Sequence, residues 1–301
     1  AVLVFTGQKS VENEMPVIFT TGEMLTSPTG LYIKEINSGR RCEELAGATD
    51  FIIFGDTQPR NEEDWEISEQ VVDSIATTEH EFIVHVGDHV EHSNSDAEWD
   101  RYFNLIAPIY KKDKYFAVVG NHDAPAVKNG MWQEYWDLPN NERWYSFDRE
   151  SSHFIVLDNV QGVNHWGNLG SEQEDWLRED LQTCERAEFC FVFMHVPPVS
   201  WNEPLALHNE PWLNLLKTHG ADAIFAGHIH NYERGNYEDI GSVTTGGGGN
   251  KFHKIQGVPS ADKTLTKTNH FVKVSATSDR TVGCIYTIDG KTLDSFEILK
   301  R

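Results

Sequence analysis

Short apolar runs alternate with stretches that favour helices along the middle of the chain, from about residue 50 to residue 226. Each run has four to six residues, is rich in β-branched or aromatic side chains and is almost continuously hydrophobic. This pattern is typical of strands that are buried on both faces of a sheet. The strands predicted in this way are Phe51–Phe54, Phe82–Val86, Tyr115–Val119, His153–Leu157, Phe189–Met194 and Ala223–Ala226.

Helices are predicted between these strands, and the spacing of the first three strands is about that of one βαβ unit. The predicted helices are Asp64–Thr77, Ala97–Tyr110, Ser171–Thr183 and Glu210–Thr218. Ser171 and Glu174 have the spacing of a capping box, which predicts where the third of these helices begins.

The end of the chain favours antiparallel pairing. Four further strands are predicted there, at Ile240–Thr245, His270–Ala276, Thr281–Ile288 and Leu293–Leu299. Asp289 and Gly290 form a strong hairpin signal between the last two. An alternating beginning and an antiparallel end together predict an α/β fold in which two packed mixed β-sheets are flanked by helices.

Two segments stand apart from this alternation. Residues 1–49 contain Thr, Gly, Pro and Val-Ile-Phe runs without a clear helix, so we predict a small β-rich N-terminal extension packed on a main domain of residues 50–301. Gly246–Gly249 is the only low-complexity patch of the sequence, and we interpret it as a flexible loop rather than a substrate-binding loop.

The charge balance narrows the classes of partner. The chain has 25 Lys and Arg residues against 47 Asp and Glu residues, which gives a net charge of −22. Such a chain repels polyanions and has no basic run longer than two residues, so binding to a nucleic-acid polymer is not expected. The sequence contains no run of about 18 apolar residues, so a transmembrane helix is not predicted. Ala1–Phe5 also lacks the charged start of a signal peptide.

The four cysteines are Cys42, Cys184, Cys190 and Cys284. They form no Cys-x-x-Cys pair, so a thiolate zinc site is not expected. We interpret them as reduced thiols, and a bridge between Cys184 and Cys190 is the alternative that their spacing leaves open. High acidity, four cysteines and the absence of an initiator Met favour an exported protein, periplasmic or extracellular, over a cytoplasmic one.

Residues that can bind metal ions follow five of the predicted strands. They stand in the segments Gly55–Gln58, Gly87–Glu91, Gly120–Asp123, His195–Pro198 and Gly227–His230. Ligand sites of open α/β sheets form outside the carboxyl ends of strands, so these segments are expected to meet in one crevice. Their oxygen and imidazole donors suit Mn, Fe, Zn or similar ions. His228 and His230 are two residues apart, so both would face the crevice from an extended segment.

The ordered series Asp-x-Gln, Gly-Asp-x-x-Glu, Gly-Asn-His-Asp, His and Gly-His-x-His resembles the calcineurin-like metallophosphoesterase superfamily over about residues 50–301. Gly227–Arg234, Gly170–Leu181 and Thr281–Ile298 are similar to its purple-acid-phosphatase-like branch. The resemblance implies a four-layer αββα sandwich. It also implies a centre of two divalent or trivalent ions, which would be Mn, Fe, Zn or Ca.

The resemblance further implies a role for each site residue. One ion would be bound by Asp56, Gln58, Asp88 and His230, and the other by Asp88, Asn121, His195 and His228. A hydroxide that bridges the two ions would attack phosphorus in line. His122 would be the general acid beside the leaving-group oxygen, and Asp123 would orient His122 or raise its pKa.

Two positions depart from the family pattern. Gln58 stands where the family usually has His, which would weaken or remove that ligand. The segment Asp88–Glu91 contains no Tyr, so the tyrosinate-to-iron colour of purple acid phosphatases is not expected.

The ligand series predicts a metal-dependent hydrolase that acts on small phosphomonoesters. A phosphodiesterase that acts on nucleotide or lipid head-group diesters is the alternative, because the sequence shows no obvious cap domain to limit the substrate. A protein that is not an enzyme, a non-catalytic metal-binding scaffold, is the second alternative. A scaffold would be expected to have lost ligands, above all His228 and His230.

Several other polar residues lie near these motifs. We interpret His85 as a core residue and the segment Tyr232–Arg234 as a structural lock near the site. His89, Glu91 and His92 are assigned solvated or structural roles, and support of the site residues is the alternative. Arg60 is interpreted as part of a surface ion pair, and contact with phosphate is the alternative. Trp201 and His208 follow His195 in the same predicted loop, where substrate contact and an ordinary surface role are equally open.

Overall fold

The computed structural model of the protein describes residues 33–35, 42, 45–112, 114–160, 166–200, 207, 210–254 and 264–300. The helices are α1 (Glu62–Ala76), α2 (Asp96–Ile106), α3 (Ala124–Asn129), α4 (Met131–Tyr135), α5 (Ser171–Cys184) and α6 (Leu213–Thr218). The strands are β1 (Ile33–Glu35), β2 (Thr49–Phe54), β3 (Phe82–His85), β4 (Tyr115–Ala117), β5 (Tyr145–Arg149), β6 (Ser152–Val156), β7 (Phe189–Phe193), β8 (Ala223–Ala226), β9 (Tyr232–Tyr237), β10 (Ile240–Thr245), β11 (Thr264–Thr266), β12 (His270–Ala276), β13 (Arg280–Thr287) and β14 (Thr292–Leu299). Within these ranges no helix has the length and apolar character needed to span a membrane.

The described strands form two seven-stranded mixed sheets. The first sheet has the order β1-β14-β13-β12-β2-β3-β4, and the second has the order β11-β9-β10-β8-β7-β6-β5. Parallel pairing joins β2, β3 and β4 in the first sheet, and β6, β7, β8 and β10 in the second. The predicted α/β fold of two mixed sheets flanked by helices is therefore confirmed.

An aromatic cluster joins the two sheets. The ring centroid of Phe51 in β2 lies 5.3 Å from that of Phe154 in β6, and 5.6 Å and 6.4 Å from those of Phe191 and Phe193 in β7. All four side chains are fully buried. Burial of each such ring contributes about 1.5–3 kcal/mol to stability, so the cluster stabilises the packing of one sheet on the other.

The ten predicted strands are all present, with ends shifted by two residues or fewer. The four predicted helices correspond to α1, α2, α5 and α6, although α2 ends earlier and α6 begins later than expected. The sequence did not predict β1, β5, β9, β11, α3 or α4. These elements are short or polar: β9 reads Tyr-Glu-Arg-Gly-Asn-Tyr and lacks the apolar run on which the other predictions rest.

The capping box expected at Ser171 is wrong. Gly170 is the N-cap of α5, at φ 73° and ψ 156°, and no side chain caps the first turn. The N–H of Glu174 donates to the carbonyl of Gly170 at 3.0 Å. Glycine alone reaches this backbone conformation without strain, so the chain enters the helix through glycine rather than through a serine cap.

Three of the four strands predicted to pair antiparallel at the end of the chain do so, namely β12, β13 and β14, whereas β10 pairs antiparallel with β9 but parallel with β8. Asp289 and Gly290 make the turn between β13 and β14, and Gly290 adopts φ 75°. β1 pairs with β14 and so adds Ile33–Glu35 to the edge of the first sheet. Thr49, inside the predicted extension, is already the first residue of β2. Residues 1–32 lie outside the described part of the chain, and the domain boundary stays a prediction.

The glycine run Gly246–Gly249 is buried, so the prediction of a flexible loop is wrong. A Cβ atom on Gly246 would meet the carbonyl of Ile229, and one on Gly248 would meet the carbonyl of Gly55. Neighbouring backbone lies too close for any side chain. The run is glycine because space is short there and not because the segment is loose.

The four cysteines form two disulfide bonds, so their interpretation as reduced thiols is wrong. Cys42 is bonded to Cys284 in β13, and Cys184 at the end of α5 is bonded to Cys190 in β7. The second bond is the alternative that the spacing left open. The first joins residues 242 positions apart in the sequence, so spacing carries no signal for it.

Candidate metal centre

The loops that follow β2, β3, β4, β7 and β8 meet at one edge of the sandwich. His195 Nε2, after β7, lies 3.0 Å from Asn121 Oδ1, after β4. His230 Nε2, after β8, lies 3.5 Å from Asp56 Oδ1, after β2. Asp88 follows β3, and its Oδ2 lies 3.3 Å from His195 Nε2. Residues from both sheets thus converge on one point, as the parallel strand ends predict.

The first group of candidate ligands contains Asp56, Asp88 and His230. One donor atom from each lies within 4.8 Å of the others, and all three residues are buried. Gln58 joins this group, because its Nε2 lies 3.0 Å from Asp88 Oδ2 and 3.4 Å from His230 Nε2. These four residues are the set that the resemblance implies for one ion.

The second group contains Asp88, His195 and His228, again with donor atoms within 4.8 Å of one another. Asn121 joins it, because its Oδ1 lies 2.8 Å from His228 Nδ1 and 3.0 Å from His195 Nε2. Asp88 belongs to both groups. The structure therefore brings together all seven residues predicted as ligands.

Backbone carbonyls orient two of the histidine rings. His195 Nδ1 donates to the carbonyl of Val86 at 2.8 Å, and His230 Nδ1 donates to that of Lys251 at 2.9 Å. A carbonyl only accepts, so Nδ1 carries the proton in each ring and Nε2 is left facing the carboxylates. Histidines that bind metals are commonly held in this way.

Three candidate ligands have a left-handed backbone, with φ 60° at Asp56, 59° at Asp88 and 67° at His228. This conformation costs a residue other than glycine about 1–3 kcal/mol, and it concentrates at functional sites. Hydrogen bonds hold it: the Asp56 N–H donates to the Gly87 carbonyl at 3.0 Å, and the His228 N–H donates to Asp56 Oδ1 at 2.8 Å. The turns point these side chains into the centre.

Burial and neighbouring charge act differently on the two buried carboxylates. Burial raises the pKa of Asp56. Burial would also raise the pKa of Asp88, but the charge of His195 and its hydrogen bond outweigh burial and hold that pKa well below its usual range. Burial opposes the charged form of His195, yet Asp88 raises the pKa of His195 to about 9. The paired carboxylates thus demand positive charge, from a proton or a cation.

Two buried polar atoms in the centre, Gln58 Oε1 and His228 Nε2, have no hydrogen-bond partner among the described residues. Such an unpaired atom costs about 1–3 kcal/mol. Flipping the Gln58 side-chain amide exchanges the positions of Oε1 and Nε2, so that Oε1 lies 3.0 Å from Asp88 Oδ2. A cation bound beside these two oxygens would satisfy both. The carboxylate, amide and imidazole donors of the centre therefore fit a pair of metal ions.

Asp123 lies beside the centre, but its contacts differ from those expected. Its buried carboxylate accepts the backbone N–H groups of Asp88, His89 and Gly120 at 2.9, 3.1 and 2.8 Å. It also lies 2.9 Å from His89 Nδ1. These donors surround its oxygens and direct it to the loop that carries Asp88, and the described residues show no hydrogen bond between Asp123 and His122, so its expected role at His122 stays a prediction.

Glu91 takes the position next to His122. His122 Nδ1 lies 3.0 Å from the Glu91 carbonyl and 3.5 Å from its carboxylate. The same carboxylate pairs with Arg60 Nε at 3.1 Å, which confirms the ion-pair interpretation of Arg60. These contacts favour the alternative that the sequence left open, in which Glu91 supports a site residue, over the solvated or structural role. Its place three residues after Asp88, within the Gly-Asp-x-x-Glu motif, was the available signal.

The remaining polar residues near the motifs are structural. His85 is a fully buried core residue, as predicted, and its ring stacks on that of His89 at 4.0 Å. Tyr232 Oη and Arg234 Nε both donate to Asp294 at 2.8 Å and lock β9 to β14, as predicted. Trp201 and His208, for which the sequence leaves substrate contact or a surface role open, lie outside the described residues.

Comparison with known proteins agrees with this geometry. The Calcineurin-like phosphoesterase family model matches residues 49–232. Purple acid phosphatase 18 of Arabidopsis thaliana is 28% identical over 182 residues, which cover 51% of this chain and 40% of that protein. The purple acid phosphatase of Glycine max is 35% identical over 100 residues, which cover 30% of this chain and 20% of that protein. The matches span less than half the length of these curated relatives.

Two solved structures share the fold. A purple acid phosphatase from yellow lupin (Lupinus luteus) seeds has a TM-score of 0.71 at 18% identity, over 85% of this chain and 54% of that chain. The anchor in the inner membrane complex of Plasmodium has a TM-score of 0.70 at 18% identity, over 84% of this chain and 89% of that chain. Since the family model covers more than half of the sequence, this chain belongs to the calcineurin-like phosphoesterase family and resembles its purple acid phosphatase branch.

Proposed function

We propose that the protein hydrolyses small phosphomonoesters with a pair of metal ions as its cofactor. The observation that supports this most directly is the place of Asp88, which belongs to both groups of candidate ligands. A carboxylate shared in this way holds two cations close together, and phosphatases use such pairs. The family of the chain supports hydrolysis of phosphate esters as the class of reaction.

In this proposal one ion is held by Asp56, Gln58, Asp88 and His230, and the other by Asp88, Asn121, His195 and His228. When bound, the ions lower the pKa of a water molecule and neutralise charge on the phosphoryl oxygens. The mixed oxygen and nitrogen donors suit Mn, Fe or Zn, and the carboxylate and amide oxygens also accept Ca.

His122 donates a proton to the departing alkoxide in the same proposal. Its backbone N–H donates to Asp88 Oδ1 at 2.8 Å, which places it beside the shared carboxylate. Its Nδ1 meets the Glu91 carbonyl, so Nε2 is the ring atom left to face a leaving group. The His122 side chain is 25% exposed, so a substrate can reach it.

A phosphodiesterase is the alternative within the same chemistry. Monoesters and diesters present similar phosphoryl oxygens to a metal pair, so the leaving-group side of the centre decides between them. A direct comparison of the two kinds of ester distinguishes these candidates.

A non-catalytic scaffold is the alternative of another class, since a protein with the same fold is an anchor in the inner membrane complex of Plasmodium. Two buried carboxylates beside three buried histidines argue against it, because a scaffold has no need of this costly arrangement.

Export to an oxidising compartment belongs to this proposal. The two disulfide bonds support it, because disulfides persist in secreted and periplasmic proteins and are rare in a reducing cytosol. A thiol count on the unreduced, denatured protein tests it: no free thiol supports export, and four free thiols contradict it.

The test of the function is hydrolysis of p-nitrophenyl phosphate and bis-p-nitrophenyl phosphate by chelator-stripped protein, with Mn, Zn, Fe or Ca added back. Asp88→Asn is the matched variant, because it keeps the size of the side chain and removes its charge. We expect metal-restored turnover of the monoester that falls by more than about 100-fold in Asp88→Asn, since even residues that only support a ligand cost 10–100-fold.

Other outcomes separate the alternatives. If the diester is hydrolysed faster than the monoester, the protein is a phosphodiesterase rather than a phosphatase. Two bound ions without turnover of either ester favour the scaffold.

A further inference from the structure

A strap, residues 246–253, runs across the loops that carry the first group of ligands; it is buried from Gly246 to Asn250 and partly exposed from there to His253. The Asn250 N–H donates to the Asp56 carbonyl at 3.3 Å, and Asn250 Nδ2 donates to the Gln58 carbonyl at 3.3 Å. The strap thus holds the turn from which two candidate ligands of one ion project.

The same strap holds His230 through its ring and its backbone. The Lys251 carbonyl accepts the proton of His230 Nδ1 at 2.9 Å. His253 exchanges two hydrogen bonds with the backbone of His230: its N–H donates to the His230 carbonyl, and its Nδ1 accepts the His230 N–H, both at 3.4 Å. The two imidazole rings stack with centroids 4.1 Å apart and planes 18° apart.

The second group of ligands is held by other parts of the fold. His195 is oriented by the Val86 carbonyl, and Asn121 lies between His195 and His228. Within the described part of the chain, no hydrogen bond joins the strap to these three ligands. The strap therefore contacts ligands of the first candidate ion and not the three that belong to the second ion alone.

His253 is outside the group of donor atoms formed by Asp56, Asp88 and His230, so it supports a ligand and is not one itself. We propose that His253 is a positioning residue that sets the affinity of the first ion and leaves that of the second unchanged. The inference rests on the proposed function. The stacked ring restricts rotation of His230, so less conformational freedom is lost when its Nε2 binds an ion.

The two groups also differ in their imidazole donors. The first group has one, His230, whereas the second has two, His195 and His228. The affinity of the first ion therefore depends on the placement of a single imidazole, which is the one that the strap holds.

The experiment measures Zn²⁺ and Mn²⁺ binding to the chelator-stripped full chain by titration calorimetry. We expect two ions in the wild type, and in His253→Ala a loss of about 10–100-fold in the affinity of one of them, the range seen for residues that support a ligand. His253→Phe keeps the stacked ring but lacks the Nδ1 acceptor, so its loss should be smaller. His80→Ala is the matched control, a partly buried histidine outside the centre whose loss should change neither affinity.

Asn121→Ala identifies the affected ion, because it removes a ligand from the second group only. In that background we expect His253→Ala to weaken the ion that remains. Circular dichroism checks that each variant is folded, and His253→Phe carries the test if His253→Ala does not fold.

Unchanged affinities in folded His253 variants, or equal weakening of both ions, overturn the inference and leave the proposed function intact. A wild type that binds fewer than two ions overturns the proposed function and the inference with it.

Discussion

At the scale of the residue, Asp88 meets several demands at once. Its left-handed backbone, at φ 59°, is held by Asp123, which accepts its N–H at 2.9 Å. Its carboxylate oxygens have separate partners: Oδ1 accepts the His122 N–H, and Oδ2 faces His195 and Gln58. The strained backbone is what lets one short side chain reach both groups of ligands.

His122→Asn tests the general acid at the same scale. We expect hydrolysis of glycerol phosphate to fall by about 100- to 10,000-fold, the usual worth of a positioned acid. Hydrolysis of p-nitrophenyl phosphate should fall far less, because p-nitrophenolate leaves without a proton. The measurement compares kcat for the two substrates at saturating metal.

His92→Asn is the control, since His92 is an exposed histidine on the loop between β3 and α2, outside the candidate ligand groups. Equal losses on both substrates in His122→Asn would show that His122 acts on metal or substrate binding rather than on the leaving group.

At the scale of the element, His153 joins β6 to its neighbours. Its Nδ1 lies 2.7 Å from Asp148 in β5, and its Nε2 lies 3.0 Å from Asp180 in α5. Burial lowers the pKa of His153, but the two carboxylates outweigh burial and raise that pKa above its ordinary value. The charged form is thus favoured in the folded state.

A pH-dependent stability follows from this raised pKa. The contribution of His153 is fully present below its unfolded pKa of about 6.5, and it is lost as pH rises through the higher folded pKa. We expect the free energy of unfolding of wild type to exceed that of His153→Gln most below pH ~6.5, with the gap narrowing above it. Urea unfolding of both proteins across this range measures the gap, and a gap that widens with pH would contradict the assignment.

The hydrophobic pattern predicts an element when the element supplies its own apolar run. β7 reads Phe-Cys-Phe-Val-Phe and is found at once, whereas β9 is polar and is a strand because β10 and β11 pair with it. The ligands were predictable for a related reason, since each follows an apolar strand. The motif position of Glu91 indicates a place near the site but not its contact with His122, and the contacts of His253 leave no sequence signal, because both depend on loop conformation and backbone hydrogen bonds.

At the scale of the whole molecule, the two disulfides constrain loops of very different length, with separations of 242 and 6 residues. Loop-closure entropy predicts stabilisation of roughly 5 kcal/mol for the long loop and roughly 2 kcal/mol for the short one. We therefore expect Cys42→Ser/Cys284→Ser to lower Tm more than Cys184→Ser/Cys190→Ser, measured by calorimetry without reductant. The opposite order would show that local packing, and not chain entropy, dominates.

The whole fold delivers two carboxylates and three histidines from two sheets to one buried point in a chain of net charge −22. The most direct test titrates chelator-stripped protein with Zn²⁺ or Mn²⁺ and follows bound metal and hydrolysis of p-nitrophenyl phosphate in the same samples. We expect turnover to reach its plateau at two ions per chain, and Asp88→Asn to bind fewer ions without restored turnover. A plateau at one ion per chain, or full turnover before any ion binds, would contradict a shared two-metal centre.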